Sequence, residues 1–458
     1  MSELFSTYPW RHWAKHRPDA TAIKTLSGGI DWCSLATQID GCHQYLAQMT
    51  HTSVSDGSAR VWGTKSPNHL SLLVLLFACC ERGELLLCTN PRFTTTQCAE
   101  IEVAMGVTVT WLDIAPLTAH LATSTPCSVT SLKAWDPARA LTLTLTSGST
   151  GTPKAVVHSP QTHLYSAEGL LSRLPFEYGD DWLLSLPLFH ISGMAIVWRW
   201  LLKGAQLTIP GEDALASLSL VTHASLVPTQ LQRFLLQNQI HQLKQVLLGG
   251  AAIPVELVSA AKQQGIACWC GYGMTEMAST VTMKPADKSA GVGTVIPRRE
   301  MTLQGGEICL KGETLCLGYL RHGQIDSVTG PDGYFYSKDL GESCDGELFI
   351  RGRKDNMFIS GGENIQPESI ESILMQVDEI KRVMVLPIAD QEYGSRPVAI
   401  VDASTFSSQH WHQWALLHLP GLLRPYRYYP WPQGVEQGGI KPSRREMAKW
   451  LQNTLMEE

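Results

Sequence analysis

The 458-residue sequence is short of several features that define other classes of protein. None of its 12 cysteines forms a C-x-x-C pair, so a structural zinc site has little support. It has no polybasic patch and a net charge of −6, which makes nucleic acid a poor partner. Its longest apolar run, residues 70–80, is too short to cross a bilayer and predicts a buried helix.

The first twenty residues also contain no apolar core of the signal-peptide type. Singly scattered cysteines are typical of idle thiols in a reducing compartment. Hydrophobic residues make up 44% and charged residues 17% of the chain, as in ordinary globular proteins. We therefore expect a cytoplasmic protein of two or three domains without stable membrane insertion, and the sequence leaves a homo-oligomer open.

Strand-like and helix-like segments alternate through most of the chain. Short β-rich segments end in turn residues just before Ser147, near residue 225 and near residue 247. A helical pattern at Val255–Gln264 follows Pro254, which suits the first position of a helix. This alternation predicts an α/β fold whose layers contain buried, largely parallel strands.

The pattern changes after about residue 300. Short alternating strands broken by glycine predict a β-rich subdomain that closes the large domain. Residues 364–390 then read as helix, turn and strand, and a final helix spans about Ser443–Met456. We therefore predict a large N-terminal domain of layered α/β sheets, residues 1–354, and a small C-terminal α+β domain, residues 355–458.

One polar loop between two predicted strands has the composition of a phosphate site. The stretch 141–158 reads LTLTLTSGSTGTPKAVVH. Gly148 and Gly151 are three apart, and a strand-like segment follows Lys154, so the Walker A spacing and its helix are both missing; the Rossmann fingerprint is missing too. Glycines, hydroxyls and a lysine can still hold phosphate through converging N–H groups, although a polar surface hairpin would look similar.

This loop resembles the signature loop of the adenylate-forming enzymes, which include acyl-CoA synthetases, luciferases and peptide-synthetase adenylation domains. Further motifs that resemble those of this superfamily follow in its order: LPLFHISGM (186–194), LLGGAAIP (247–254), GYGMTE (271–276), FYSKDLGE (335–342), GRKDNMFISGGENIQPESIE (352–371) and GGIKPSRR (438–445). The resemblance covers nearly the whole chain. It is closer still to the o-succinylbenzoate–CoA ligases of menaquinone synthesis, in segments such as WRHWAKHRPDATAI and THASLVPTQL.

The resemblance implies a two-step ligase that uses ATP, Mg²⁺ and CoA. A carboxylic acid, here o-succinylbenzoate, would attack the α-phosphate of ATP to give acyl-AMP and pyrophosphate, and the thiol of CoA would then displace AMP. Both steps move charge onto phosphate or carbonyl oxygens, so preorganised donors and a metal ion suit them. Another aryl or fatty acyl-CoA synthetase, a stand-alone adenylation domain that loads a carrier protein, and a catalytically dead nucleotide-binding regulator are the alternatives.

The resemblance also implies the residues that hold ATP. The phosphate loop would be Thr146, Ser147, Gly148, Ser149, Thr150, Gly151 and Lys154. The adenine side would be Gly250, Ala251, Tyr272, Gly273 and Thr275, with Tyr272 stacked on the base. Asp339 and Arg353 would grip the ribose, although Ser337-Lys338 stands where the family usually has Thr-Gly. Glu276 would hold Mg²⁺, and a solvated carboxylate is its alternative interpretation.

The remaining roles implied by the resemblance concern catalysis and domain motion. Lys441 would stabilise the adenylation transition state, although Ile440 separates it from Gly439 and an exposed lysine at a helix start would look the same. His190 would lie near the acyl pocket, where a satisfied core histidine is the alternative. Asp355 would be the hinge of a mobile C-terminal domain that presents Lys441 in one orientation and residues 360–363 to the thioester site in the other.

A pocket for o-succinylbenzoate must neutralise the ring carboxylate, which is not activated in the reaction. If HISGMAIVWRW forms a helix from about Ser192, Arg199 lies two turns along on the same face, and the helix would direct both Ser192 and Arg199 to the acyl pocket as substrate residues. The planar guanidinium of arginine suits a carboxylate, whereas a fatty-acid pocket has no use for it. A surface arginine is the alternative, although the apolar neighbours of Arg199 favour burial. Thr280 is a second candidate for the same ligand.

Overall fold

The computed structural model describes residues 5–49, 60–123, 132–146, 153–211, 213–249, 253–432 and 444–457. Within these ranges, each helix is too short or too polar to span a membrane. The predicted loop residues Ser147, Gly148, Ser149, Thr150 and Gly151, the adenine-side residues Gly250 and Ala251, and the catalytic candidate Lys441 lie outside the described residues.

The helices are α1 (Pro9–His16), α2 (Trp32–Met49), α3 (Leu70–Arg82), α4 (Thr95–Met105), α5 (Ile114–Thr123), α6 (Pro160–Leu171), α7 (Ile191–Lys203), α8 (Ala214–Leu218), α9 (Pro228–Leu236), α10 (Val255–Gln263), α11 (Pro367–Leu374), α12 (Ser408–His418) and α13 (Arg444–Glu457). Short 3₁₀ turns lie at Thr275–Met277, Lys354–Asn356 and Gly421–Leu423.

The strands in the first 300 residues are β1 (Thr21–Thr25), β2 (Gly28–Asp31), β3 (Val61–Thr64), β4 (Leu85–Cys88), β5 (Val109–Leu112), β6 (Thr142–Thr146), β7 (Lys154–His158), β8 (Asp181–Leu183), β9 (Gln206–Thr208), β10 (His223–Leu226), β11 (Gln245–Leu248), β12 (Ala267–Cys270), β13 (Gly273–Met274), β14 (Ser279–Thr280), β15 (Thr282–Pro285) and β16 (Thr294–Val295). Those that follow are β17 (Arg299–Gln304), β18 (Glu307–Gly312), β19 (Gly318–Arg321), β20 (Gln324–Asp326), β21 (Phe335–Cys344), β22 (Glu347–Arg353), β23 (Phe358–Ser360), β24 (Glu363–Ile365), β25 (Ile380–Asp390), β26 (Gly394–Ala403) and β27 (Tyr428–Pro430).

Two compact units make up the chain. One is formed by residues 1–300 with 310–335, and the other by residues 301–309 with 336–458. The second unit therefore includes most of the sheet β17-β18-β21-β22, which precedes Asp355 in sequence. The predicted domain boundary between residues 354 and 355 stays a prediction, because it concerns the position of a hinge and not the packing of the two units.

Two large sheets form the first unit. One has the order β16-β15-β12-β11-β10-β8-β9-β1-β2, and its six central strands, from β12 to β1, pair in parallel. The other has the order β20-β19-β7-β6-β4-β3-β5, with parallel pairing from β6 to β5 and antiparallel pairing from β6 to β20. The predicted α/β layers with buried, largely parallel strands are confirmed.

Two helix predictions can be compared directly with the structure. The apolar run at 70–80 forms most of α3, whose residues 71–81 are all buried, as predicted. Helix α3 ends at Gly83, whose φ of 69° satisfies the left-handed position after a helix. Helix α10 begins at Val255 as predicted, but Pro254 is its N-cap at ψ 135° and not its first helical residue.

The second unit contains the predicted α+β pattern. Helix α11 and strand β25 form the helix, turn and strand expected from residues 364–390, and α13 lies one residue from its predicted bounds. Strands β25, β26 and β27 form one sheet, and an apolar cluster that includes Ile370, Val385, Ala399 and Trp411 packs between helices and sheet.

A fully buried carboxylate joins α1, α2 and α3. Glu81 has no exposed surface and accepts hydrogen bonds from Trp10 Nε1 at 2.7 Å and from Arg11 Nε at 2.6 Å. The ring of His43 lies 2.7 Å from its other oxygen. Burial alone would raise the pKa of Glu81, but the hydrogen bonds of Arg11 and His43 outweigh it and hold the pKa below 4.5.

We predict that Glu81→Gln lowers the free energy of unfolding by about 3–5 kcal/mol, as is typical when one partner of a buried ion pair is removed. The folded pKa is depressed, so the wild-type contribution is complete above the unfolded pKa and is lost as the pH falls through the folded one. Urea unfolding at pH 7 and at pH 4 measures both effects. Glu313→Gln, which breaks a partly exposed pair with Arg298, is the control and should cost less than about 1 kcal/mol.

Candidate active site

The predicted phosphate loop connects two paired strands. Strands β6 and β7 run antiparallel with Thr146 opposite Lys154, so both ends of the loop are fixed by the ladder. Lys154 begins a strand and not a helix, which confirms that the loop is not of the Walker A kind. Thr146 and Lys154 are both half-buried at the mouth of this hairpin.

Tyr319 brings Lys154 and Glu276 together. Strand β19 pairs with β7, with Tyr319 opposite Val156, and the Lys154 ammonium lies 5.0 Å from the centre of the Tyr319 ring. The Tyr319 hydroxyl donates a 2.8 Å hydrogen bond to Glu276 Oε1. Burial, and then the Glu276 carboxylate, raise the pKa of Tyr319, so the phenol stays a donor. Sequence reasoning missed Tyr319, which is 43 residues from its partner.

A tight turn carries Glu276. Strands β13 and β14 pair with Gly273 opposite Thr280, and a Cβ on Gly273 would lie 2.2 Å from the carbonyl oxygen of Ser279. Ala278 and Ser279 have φ values of 51° and 101°, which are strained for residues other than glycine. The turn thus places Thr275 and Glu276 at its tip and the buried Thr280 at its base.

Two side chains hold this turn from below. The carbonyl of Ala278 accepts a 2.5 Å hydrogen bond from Ser166 Oγ on α6. The carbonyl of Thr275 lies 2.8 Å from His158 Nε2, and His158 is fully buried at the end of β7. Burial lowers the pKa of His158 to about 4, so its ring is neutral at pH 7.

Magnesium would meet a single protein carboxylate here. Among the described residues, no three His, Cys, Asp or Glu side chains cluster closely enough to hold a metal ion together. Mg²⁺ is usually bound through one or two carboxylates plus substrate phosphates and water. The half-buried Glu276, oriented by Tyr319 beside the β6–β7 hairpin, fits that pattern. The neighbouring Tyr272 is half-buried, and its backbone is fixed by bonds to Val281 and Thr282.

The two predicted ribose residues meet in the second unit. Asp339 on β21 stands opposite Arg353 on β22, and Arg353 Nη1 donates to Asp339 Oδ1 at 2.8 Å. Asp339 is only 7% exposed, and its backbone N–H donates to Ser337 Oγ at 3.0 Å. The pair therefore presents a fixed carboxylate and guanidinium, which suit two ribose hydroxyls.

The aromatic–His segment leads directly into α7. His190 is the N-cap of this helix, and its Nε2 is buried without a hydrogen-bond partner among the described residues. The alternative that His190 is a core histidine with its hydrogen bonds satisfied does not fit this unpartnered Nε2. A Cβ on Gly193 would lie 2.2 Å from the carbonyl oxygen of Pro187, so only glycine allows the helix start to pack against the preceding loop.

Arg199 is buried as predicted. Helix α7 begins at Ile191, which puts Ser192 and Arg199 on one face, and Arg199 is 2% exposed. Its Nη1 donates to Ser225 Oγ at 3.3 Å and its guanidinium lies 5.1 Å from the ring centre of Trp182. Among the described residues it forms no ion pair with a carboxylate, and burial lowers its pKa to about 9. The surface-arginine alternative is wrong.

Comparison with known proteins settles the family. A family described as AMP-binding enzyme matches residues 10–320, which is more than half of the chain. The chain belongs to the AMP-binding enzyme family. Within this family the chain is similar to the 2-succinylbenzoate–CoA ligases, another name for the o-succinylbenzoate enzymes, as two relatives and a solved structure show.

The 2-succinylbenzoate–CoA ligase of Escherichia coli (strain K12) is 40% identical over 453 residues, covering 98% of this chain and 99% of the relative. The ligase of the same name from Haemophilus influenzae is 42% identical over 456 residues, covering 97% and 98%. An arginine-to-lysine variant of E. coli MenE with bound OSB-AMS has a TM-score of 0.88 and 37% identity, covering 99% of this chain and 100% of that one. The family and fold class predicted from the motifs are confirmed.

The departure from the family at Ser337-Lys338 has a structural meaning. Lys338 has a φ of 64°, a left-handed conformation that glycine adopts at no steric cost. The lysine ammonium lies 3.2 Å from the carboxylate of Asp355, the predicted hinge residue. The family-typical glycine is thus replaced by a residue that strains the backbone but gains an ion pair with the predicted hinge residue.

The predicted thioester segment forms a small hairpin in the second unit. Strands β23 and β24 pair with Ser360 opposite Glu363. Gly361 and Gly362 form the turn, with φ values of 56° and 83° that a two-residue hairpin requires. The Ser360 hydroxyl is buried without a hydrogen-bond partner among the described residues. Roles for Asp355 and for this hairpin remain predictions.

We predict that Tyr319→Phe weakens Mg²⁺ binding, because the Glu276 carboxylate loses the hydroxyl that orients it. The Mg²⁺ concentration for half-maximal ATP–pyrophosphate exchange should rise about tenfold, in line with losses of outer-shell partners elsewhere. The exposed Tyr178→Phe is the control. An unchanged Mg²⁺ dependence would show that Tyr319 does not position the ligand.

A pair of substitutions isolates the strain at Lys338. Lys338→Gly and Lys338→Ala both lose the ion pair with Asp355, but only alanine keeps the unfavourable left-handed Cβ. We predict that the glycine variant is more stable than the alanine variant by about 1 kcal/mol in urea unfolding. Equal stabilities would mean that the backbone relaxes out of the left-handed region.

Proposed function

We propose that this chain is an AMP-forming ligase that activates the succinyl carboxylate of 2-succinylbenzoate with ATP and transfers the acyl group to CoA. The observation that supports this substrate most is the buried Arg199, which has no carboxylate partner among the described residues. A buried, unpaired charge costs several kcal/mol, and a second substrate carboxylate would compensate it. The E. coli and H. influenzae relatives are both named 2-succinylbenzoate–CoA ligase, which supports the choice of acid and of CoA.

The first step breaks one bond of ATP and makes one new bond. A carboxylate oxygen of the acid attacks the α-phosphorus, and pyrophosphate leaves. Lys154 and the loop that follows Thr146 would hold the leaving phosphates, while Asp339 and Arg353 would fix the ribose. Glu276 would hold Mg²⁺, which supplies positive charge to the phosphate oxygens. Lys441 would add a cation at the α-phosphate, where negative charge develops.

The second step replaces AMP by the thiol of CoA. The thiol sulfur bonds to the acyl carbon, the carbon–oxygen bond to AMP breaks, and the thiol proton is released. His190, with an unpartnered ring nitrogen at the start of α7, would border the acyl group, and residues 360–363 would take their place at the thioester site after a turn at Asp355. We further propose a cytoplasmic location, where ATP and CoA are present and free thiols stay reduced.

A CoA-consumption assay over a panel of carboxylic acids tests the proposal. The panel contains 2-succinylbenzoate, benzoate and fatty acids, each with ATP and Mg²⁺. Fastest turnover of 2-succinylbenzoate is expected. Preference for another acid would favour a different acyl-CoA synthetase. ATP–pyrophosphate exchange without consumption of CoA would favour an adenylation domain that loads a carrier protein. No exchange with any acid would favour a catalytically dead regulator.

Arg199→Ala should raise KM for 2-succinylbenzoate by more than about tenfold, because truncating one partner of a buried charged pair typically costs ~2–5 kcal/mol. KM for ATP should stay within about twofold, since Arg199 lies on α7 and not in the β6–β7 hairpin. Steady-state kinetics with each substrate varied in turn measure both constants. An unchanged KM for the acid would remove Arg199 from the substrate site.

Lys441→Ala should slow adenylation by about 10²–10³, the usual value of one contact to developing oxyanion charge. It should spare thioester formation from supplied acyl-AMP, because that step no longer involves the α-phosphate attack. Pyrophosphate release and thioester formation are measured separately. The exposed Lys449→Ala on α13 is the control, and near-normal pyrophosphate release by the Lys441 variant would contradict the proposal.

A further inference from the structure

A second buried arginine lies in the first unit without a charged partner. Arg299 begins β17 and is 7% exposed. Its Nη1 donates to the carbonyl of Pro297 and its Nη2 to Ser166 Oγ, both at 2.8 Å, and its Nε has no partner in the described part of the chain. Both acceptors are neutral, so the guanidinium charge is desolvated and not compensated.

Carboxylates are present close to Arg299, because the neighbouring Arg298 is paired with two of them. Arg298 is paired with Glu168 at 2.7 Å and with Glu313 at 2.8 Å. Gly169 follows Glu168 on α6, and a Cβ there would lie 2.5 Å from Arg299 Nη1. Because Gly169 has no side chain, the Arg299 guanidinium can pack against α6 at this point. The adjacent carboxylate of Glu168 pairs with Arg298 and not with Arg299.

Arg299 shares its surroundings with Arg199. Helix α6, which carries Ser166, packs against α7, which carries Arg199, and both helices contact β14, which contains Thr280. Burial, followed by the charge of Arg199, lowers the pKa of Arg299 to about 9. Both arginines are buried, and among the described residues each donates hydrogen bonds only to neutral groups, which makes this region favourable for an anion.

We propose that Arg299 is a second specificity-determining residue, which acts with Arg199 to favour acids that carry a second carboxylate. Its charge lowers the cost of bringing that anion into the interior, whether or not it touches the ligand. The inference rests on the proposed function and deepens it. A purely structural role is the competing explanation, because Ser166 also donates to the carbonyl of Ala278 in the turn behind Glu276.

A pair of acids that differ in one group separates these explanations. 2-Succinylbenzoate is compared with 4-phenyl-4-oxobutanoate, which is the same molecule without the ring carboxylate. Each acid is tested against wild type, Arg299→Gln, Arg299→Lys and the neighbouring control Arg298→Gln. KM is measured by CoA consumption, and an inhibition constant against 2-succinylbenzoate serves where the monoacid turns over too slowly.

The charge-neutral Arg299→Gln should raise KM for 2-succinylbenzoate about tenfold. The constant for the monoacid should stay within about twofold of the wild-type value. Arg299→Lys should restore most of the loss, and Arg298→Gln should change neither acid. The ligand-free Gln variant should melt at or above the wild-type temperature, because it no longer buries an unpaired charge.

The inference would be overturned if Arg299→Gln raised the constants for both acids equally, or if it lowered the melting temperature while the ratio of the two constants stayed unchanged. Either result would mean that Arg299 supports the turn. Failure of wild type to use 2-succinylbenzoate at all would instead overturn the proposed function. The two failures are therefore distinguishable in one set of measurements.

Discussion

The pairing of β7 with a neighbour on each side organises the first unit's candidate site. On one edge β7 meets β6, which fixes both ends of the predicted phosphate loop through Thr146 and Lys154. On the other edge it meets β19, which carries Tyr319 to the Glu276 carboxylate. At its far end His158 supports the turn at Thr275. One central strand thus sets the positions of groups from three distant parts of the sequence.

Buried charges in this protein are of two kinds. Glu81 is surrounded by Arg11, His43 and Trp10, so its burial is compensated within the chain. Arg199 and Arg299 are also buried, but among the described residues they donate hydrogen bonds only to neutral groups. Because uncompensated burial is expensive, the first kind is expected in a stable scaffold and the second where a ligand supplies the missing charge.

Much of the fold, and the meeting of some candidate-site residues, could be predicted from the sequence for local reasons. The apolar run that becomes α3 has no polar face, and the motifs that contain Asp339 and Arg353 lie on neighbouring strands of one hairpin. Tyr319 and Arg299 were missed because their partners are 43 and 133 residues away and only strand pairing and helix packing bring them close. The left-handed φ of Lys338 was missed because lysine gives no local signal for that conformation.

His158 has a consequence for how the site responds to acid. Its Nε2 faces the carbonyl of Thr275 and so carries the ring proton, while Nδ1 is buried without a partner among the described residues. A second proton on Nδ1 would place a full charge in the apolar interior, which is why the pKa falls to about 4. The imidazole therefore stays in one neutral tautomer and donates its Nε2 proton to Thr275. Its hydrogen bond to the Thr275 turn should not change with pH near neutrality.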